Sequence, residues 1–393
     1  MRSTFAVLAT VAAAACGSPD PGDGDGGAGP DAGVDPSREI FDPDRVATYE
    51  LELSPAAVDA LTADPRAYVR ATLRYGAEVV ADIGVRIKGE WNFRPLGQKA
   101  AFKLKFDEFV AGQTFHGLKR LTFNNALEDP SWVAERLTYL AFRDAGLPAP
   151  RAASAWIKVN GRDYGVYVAL ETEDKRMIAR WFADDSGNLY EEQAEELAVG
   201  NEGAFELETN ETANDRSDLT ALFAAIAGAD DATLLADLAA VLDGERFLRY
   251  CVYEAAVLQW DGYCHTRFGP NNFRLYHEPA SGHFHFLPWG MDMSWKPYEA
   301  TPIDPFDARG MLLERCLNGA TCRAAYAAEV RAAADRLDAL DLPALVDAWG
   351  AQVRPLVAAD PMKEVDLDTF EATLAAVRAR AAARPGELRA ATP

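Results

Sequence analysis

Residues 154–171 read SAWIKVNGRDYGVYVALE. Apolar and polar residues alternate on both sides of Asn160-Gly161, a pair that accepts the two positive φ angles of a primed two-residue turn, so the stretch predicts a β-hairpin. Upstream, from Arg38, the same alternation recurs in ATYELEL, RATLRY, IGVRIKG, AFKLKFDEF and RLTFNN, the pattern of half-buried strands. Downstream of Glu171 the apolar spacing becomes helical, over Asp174 to Phe182, Asp215 to Ala227, Ala232 to Leu242 and Arg246 to Trp260, and Ala-rich helices run from Cys322 to Ala383. The folded chain therefore divides at Glu171 into a β-rich unit, 38–171, and a mostly helical unit, 172–393, an α+β fold. One major helix is expected in the first unit, SWVAERLTYLAFRDAG at 131–146, with Asp129 as cap, Pro130 in the first turn and Gly146 as the stop. A hairpin, NNFRLYHEP followed by GHFHFLPW, is set into the second.

The 393 residues carry 39 Lys+Arg against 61 Asp+Glu, a net charge of −22, which argues against a nucleic-acid partner because phosphate contacts need clustered positive charge. Residues 1–16, MRSTFAVLATVAAAAC, place one Arg before an apolar run from Phe5 to Ala15, too short to span a bilayer and of the length of a secretory signal. The next segment, 17–37, is rich in Gly, Pro and Asp and reads as a disordered linker. Together they resemble the start of a bacterial lipoprotein, with Cys16 as the lipid anchor, although Ala13 stands where such signals usually carry Leu; an ordinary signal peptide with an incidental Cys is the alternative. The resemblance implies export and anchoring, and Gly17 rather than Asp after the Cys leans to the outer membrane or cell surface. Cys251, Cys264, Cys316 and Cys322 remain for disulfides, with Cys316–Cys322, around Asn318-Gly319, favoured. No CxxC spacing occurs and His116, His265, His277, His283 and His285 are not suitably spaced, which argues against zinc; His283 and His285 read as surface residues on one strand face.

Nine Lys against thirty Arg make the cluster Lys99, Lys103 and Lys105 unusual for this chain. On a strand Lys103 and Lys105 share one face while Phe102, Leu104 and Phe106 share the other, so the two ammonium groups form a strip that can hold phosphates or, more blandly, a solvated sheet face. Glu135, on the major helix, is placed to hold such an ammonium, or is a surface residue. The densest constellation lies in 260–295, WDGYCHTRFGPNNFRLYHEPASGHFHFLPWGMDMSW, with Asp261, Asn271, Asn272 and Asp292. Carboxylates in apolar surroundings need a partner, and a hard cation such as Mg²⁺ takes one or two of them and completes its shell with water and phosphate. The bland reading has both Asp residues capping a helix and a turn.

RIKGEW, KAAFKLKFDEF, LTFNNALEDPSWVAERLTYLAFRDAGLPAPRA, IKVNGRDYGVYVALETED, GNLYE, WDGY, NNFRLY and FLPWGMDMSW, in this order from Val85 to Pro297, resemble the CotH family of spore-coat-type atypical protein kinases. The resemblance implies a divergent two-lobed protein-kinase-like fold that transfers the ATP γ-phosphoryl group to Ser or Thr of an exported or surface protein with Mg²⁺ or Mn²⁺. It implies further that Lys103 or Lys105 contacts ATP phosphates with Glu135 as partner and that Glu171 falls near the adenine. Asp261 is then the base or hydroxyl-positioner, and Asn272 and Asp292 hold the metal. Two departures stand out: the common PWDxD pattern reads Pro288-Trp289-Gly290-Met291-Asp292, and extra residues, Cys264 among them, separate Asp261 from Asn272. An exported setting poor in ATP leaves room for a catalytically silent binding or coat-assembly module. A carboxylate-based hydrolase using Asp261 and Asp292 leaves the Lys strip unexplained.

Overall fold

A computed structural model describes residues 35–89, 92–296 and 302–392; the signal segment, Cys16 and most of the linker lie outside the described residues. The chain runs β1 (Ala47–Leu53), α1 (Pro55–Ala63), β2 (Val69–Tyr75), β3 (Glu78–Lys88), β4 (Ala101–Lys105), β5 (Arg120–Asn124), α2 (Ala134–Asp144), β6 (Ala152–Val159) and β7 (Arg162–Glu171). It continues with α3 (Lys175–Trp181), β8 (Leu189–Glu192), β9 (Phe205–Leu207), α4 (Ser217–Gly228), α5 (Leu234–Asp237) and α6 (Gly244–Ala256). The hairpin β10 (Phe273–Glu278) and β11 (His283–Pro288) precedes α7 (Met311–Asn318), α8 (Ala320–Ala339), α9 (Leu342–Ala359) and α10 (Leu367–Ala391). The fold is α+β. Among the described residues no helix is long and apolar enough to cross a membrane.

The first seven strands close into a barrel in the order β1-β2-β3-β4-β5-β7-β6, sealed by the parallel pairing of β6 with β1. Strand alternation fills its interior with Leu51, Val85, Ile87, Phe102, Leu104, Phe123 and Ile157. The opposite residues of β3, β4 and β5 therefore face outward, with Arg86 beside Lys103 and Lys105 beside Arg120. The β6–β7 turn has the expected primed form, Asn160 at φ 50° and Gly161 at φ 76°. A second sheet, β11-β10-β8-β9, and the helices from α2 onward form the other part, where α6 lies in one core with α2, α8 and α10.

Several sequence expectations change in detail. α1 is a second helix in the β-rich unit, capped by Ser54 and opened by Pro55. α2 starts at Ala134, because Ser131 Oγ first takes the amides of Val133 and Ala134, while Asp129 caps one turn further on through Glu135 N. Helix is expected over 232–242, yet only Leu234–Asp237 is α-helical. α6 stops at Ala256 rather than Trp260, because Leu258 turns left-handed at φ 60° and Gln259 N bonds back to Glu254 O. Strands β8 and β9 are too short to show alternation. Asp35 and Ser37, expected in the linker, both bond Arg151. Cys316 is bonded to Cys322 as expected, and Cys251 to Cys264.

The C-terminal helices are fastened to the barrel by buried charge. Asp360, at the end of α9, pairs with Lys99 beside β4, accepts a bond from Val166 N (3.0 Å) and leaves no room for a side chain at residue 165, which is Gly at φ 92°. Arg136 of α2 reaches Ser154 (2.7 Å), Pro43 O (2.8 Å) and Gln352 of α9, and lies over the Trp349 ring. Removing one partner of a buried pair leaves the other charge desolvated, so Asp360→Ala should cost about 3–5 kcal/mol in urea unfolding, and adding Lys99→Met should recover part of the loss. Additive effects of the two substitutions would show that the pair is not coupled.

Candidate active site

The ammonium linked to Glu135, through Asn124, belongs to Lys88, the last residue of β3. Its Nζ donates to Asn124 Oδ1 at the end of β5, and Asn124 Nδ2 donates to both oxygens of Glu135, at 2.7 and 2.9 Å. Lysine, amide and carboxylate thus form one chain from barrel to helix. Burial lowers the Lys88 pKa, against the attraction of Glu135 and then Asp292. Glu135 is pushed up to about 8 by its burial and next by the charge of Asp292, and burial raises Asp129 to about 6. Burial also raises Asp292, with Lys88 the strongest opposing influence.

Asp261 stands in the loop after α6 and takes hydrogen bonds from the side chains of Asn271 (3.2 Å) and Asn272 (2.7 Å). Its pKa is raised by burial, with the charge of Asp292 adding to the rise. Asp292 lies in a single 3-10 turn, Met291–Met293, that follows β11. The turn is entered through Gly290 at φ 59°, and a Cβ there would fall on the Asn272 amide. The missing carboxylate of the PWDxD pattern is therefore matched by an Asn272 side chain seated against the bare Cα.

Lys103 and Lys105 do share the outer face of β4, but they differ in use. Lys103 points over the Trp289 ring, 5.8 Å from its centre, into a cavity of about 140 Å³ that Arg86, Glu173, Arg274 and Trp289 help to line. Burial, then repulsion from Arg274 and Lys88, brings its pKa down to about 8. Lys105 also borders that cavity but is paired with Glu108 at 2.7 Å, so Lys105 as partner of Glu135 is corrected: its ammonium is held by the carboxylate three residues further along the chain. Glu171 is corrected as well. Both its oxygens are taken by Arg151 and Arg180, and these guanidiniums hold its pKa low despite burial, so its carboxylate is spent on joining β7 to α3. Two residues on, Glu173 lines the cavity fully buried, neither oxygen hydrogen-bonded among the described residues, with Arg274 at 3.5 Å.

Lys88, Asn124, Glu173 and Arg274 are the site residues that the sequence reading passes over. Lys88 follows Arg86 on the same strand face, in RIKGEW, and that position at a strand end was its signal; Lys density drew attention to β4 instead. Among the described residues no group of three or more His, Cys, Asp or Glu is arranged to hold a metal. The donors on hand are the Asp292 and Asp261 carboxylates and the Asn272 amide oxygen, a set that fits an ion completing its shell with water and phosphate. The charge balance fits too, since Asp292 raises Asp129, Glu135 and Asp261, while Lys88 acts on Glu135 and, with Lys296, on Asp292.

Two comparisons bear on this arrangement. The family model described as CotH kinase protein matches residues 85–388. Inner spore coat protein H of Bacillus subtilis (strain 168) is 25% identical over 280 residues, 67% of this chain and 75% of that protein. The inner spore coat protein H-like protein of the same organism is 26% identical over 112 residues, 25% of this chain and 35% of that protein.

A carboxyl whose folded pKa exceeds its unfolded value stabilises the fold below the unfolded pKa and loses that contribution as pH rises through the folded one. With Glu135 at about 8, wild-type stability should fall between pH 5 and 8 relative to Glu135→Gln. The difference in urea unfolding should approach about 1.4 kcal/mol per pH unit at most. An unaltered slope in the variant would show Glu135 to be ionised across this range.

Proposed function

The chain belongs to the CotH family, and from that membership we propose that it is an atypical protein Ser/Thr kinase of two-lobed, kinase-like build, exported and anchored to a membrane through Cys16. The observation that carries the reading is the Lys88–Asn124–Glu135 chain of hydrogen bonds with Asp292 acting on the same ammonium. A helical carboxylate that fixes a strand lysine, opposite a metal-binding Asp, is the set of parts that phosphoryl transfer requires.

In this reading Lys88 holds ATP phosphates, and Lys103 adds positive charge from the adjoining cavity. Asp292 and Asn272 would hold Mg²⁺ or Mn²⁺, and the ion would supply positive charge to the phosphates. Asp261 orients a Ser or Thr hydroxyl of a protein substrate: the oxygen bonds to the γ-phosphorus, the bond to the β-phosphate oxygen breaks, ADP leaves and the hydroxyl proton passes to Asp261. Burial, by raising the pKa of Asp261, makes it a better proton acceptor than an exposed carboxylate. Most of the catalysis is positioning and charge stabilisation.

The silent-module reading is favoured by one observation. The cavity beside Lys103, about 140 Å³, is smaller than the roughly 300 to 1,000 Å³ of ordinary ligand sites. Thermal unfolding separates the two. A competent site at 100 times its Kd of Mg-ATP gains about 2.7 kcal/mol, a shift of a few degrees. Lys88→Met and Asp292→Ala should abolish that shift, and Asp261→Ala should keep it while losing incorporation of labelled phosphate into a Ser-rich acceptor. No shift in the wild type would leave the module.

A further inference from the structure

Glu254 is fully buried on α6, in an otherwise apolar helix face, and the mechanism above does not use it. Its two oxygens accept the backbone amides of Tyr263 (2.9 Å) and Cys264 (2.6 Å). Those amides belong to the loop whose Asp261 would meet the acceptor hydroxyl. Gly262, between Asp261 and these two residues, lies so close that a Cβ would fall on the Glu254 carboxylate. One turn earlier on the same helix face, Cys251 is joined covalently to Cys264. His265 extends the attachment, with Nε2 at 3.2 Å from Cys251 O and Nδ1 at 3.2 Å from Asp307 O. From the other end of the loop Asn271 N bonds Gly262 O (3.1 Å), which brings the Asn271 and Asn272 amides onto Asp261.

We infer that Glu254 and the Cys251–Cys264 disulfide form a positioning device that fixes the Asp261 loop on α6. The catalytic part of this inference rests on the proposed role of Asp261. A carboxylate taken out of water needs donors to offset the loss of hydration. Here the donors are main-chain groups of the loop itself, so the penalty of burying Glu254 is met only when the loop has this one path. The disulfide removes the alternative paths open to the same residues in the unfolded chain. Gly262 is the residue that lets the main chain come within reach of the carboxylate, which accounts for the third letter of WDGY. Cys264, which sets this chain apart from the family pattern in the same loop, is thereby given a purpose: it replaces packing with a covalent tie.

Four variants test it: Glu254→Ala, Glu254→Gln, Gly262→Ala and the double Cys251→Ala/Cys264→Ala. The first readout needs no activity. Amide hydrogen exchange at Tyr263 and Cys264 should quicken by about tenfold or more in each variant while α8 and the barrel keep wild-type protection. The second is transfer of labelled phosphate from Mg-ATP. A misplacement of about 1 Å can cost on the order of 100-fold in rate, so kcat should fall at least tenfold in Glu254→Ala. KM for ATP and the Mg-ATP thermal shift should change by less than kcat, because Lys88 and Asp292 lie outside the loop and Asn272 is also held by the bond from Trp289 N to its carbonyl. Glu254→Gln, which keeps one acceptor oxygen, should recover part of kcat and serves where the alanine variant does not fold. Unchanged exchange at residues 263 and 264 overturns the device. Faster exchange with unchanged kcat, or an equal loss through KM, overturns its link to Asp261. Absence of transfer and of any thermal shift in the wild type counts against the kinase reading alone, and the exchange result then decides whether Glu254 holds the loop.

Discussion

Like charges brought together out of water are the constraint around which this molecule is arranged. Burial raises the pKa of Glu135, Asp129 and Asp292; the charge of Asp292 adds to the rise at the other two, and Asp129 adds to it at Glu135. Such a group is tolerable only if each member is met by a proton, a hydrogen-bond donor or a cation. Asn124 supplies donors to both Glu135 oxygens, Ser131 and the Glu135 amide serve Asp129, and Lys88 supplies the positive charge. The remaining demand falls on Asp292, met by Lys88, a main-chain hydrogen bond and Lys296 and, in the proposed reading, by a divalent ion.

Such an arrangement needs supports on two sides. Lys88 and Asn124 end neighbouring regions of the barrel, whereas Asp292 and Asp261 come from loops of the helical part. Their mutual placement depends on how firmly those parts are joined. The join is made by residues outside the site: Lys99 with Asp360, Arg136 with the α9 side chain Gln352, and Trp295, whose indole donates to Thr138 of α2 at 3.0 Å. Trp295 is three residues after Asp292, so this bond ties the carboxylate's turn to the helix that carries Glu135. A buried ion pair gives modest net stability, yet it is expensive to break, which suits a contact that fixes one relative position.

The parts of the fold that local chemistry dictates were legible. Asn160-Gly161 has one low-energy use between alternating strands, and Gly146 ended α2 as read, at φ 73°. Asp261, Asn272 and Asp292 could be singled out because amides and carboxylates set among Trp residues require partners. What remained hidden depends on distance in space. Lys88 and Lys103 look alike in sequence, and only the closing of the barrel decides which reaches α2. Glu171 looked available until Arg151 and Arg180, twenty residues before it and nine after it, converged on it. Glu254 gave no signal, since its partners are main-chain amides, which no side-chain pattern reveals.

The family departure at residue 290 follows from the same reasoning. A left-handed residue can be Gly or Asp at modest cost, so φ alone does not exclude a carboxylate there. The exclusion comes from Asn272, itself left-handed at φ 50°, whose side chain occupies the space that a Cβ at 290 would take. Asn272 is held in that position by Asp261 at 2.7 Å and by the bond from Trp289 N to its own carbonyl at 3.2 Å. Replacing Gly290 by Asp would add a charge to a region already crowded with carboxylates and would displace the amide that orients Asp261. The absence of a side chain at 290 thus preserves the Asn272–Asp261 contact, and with it the geometry of the one carboxylate that this loop presents.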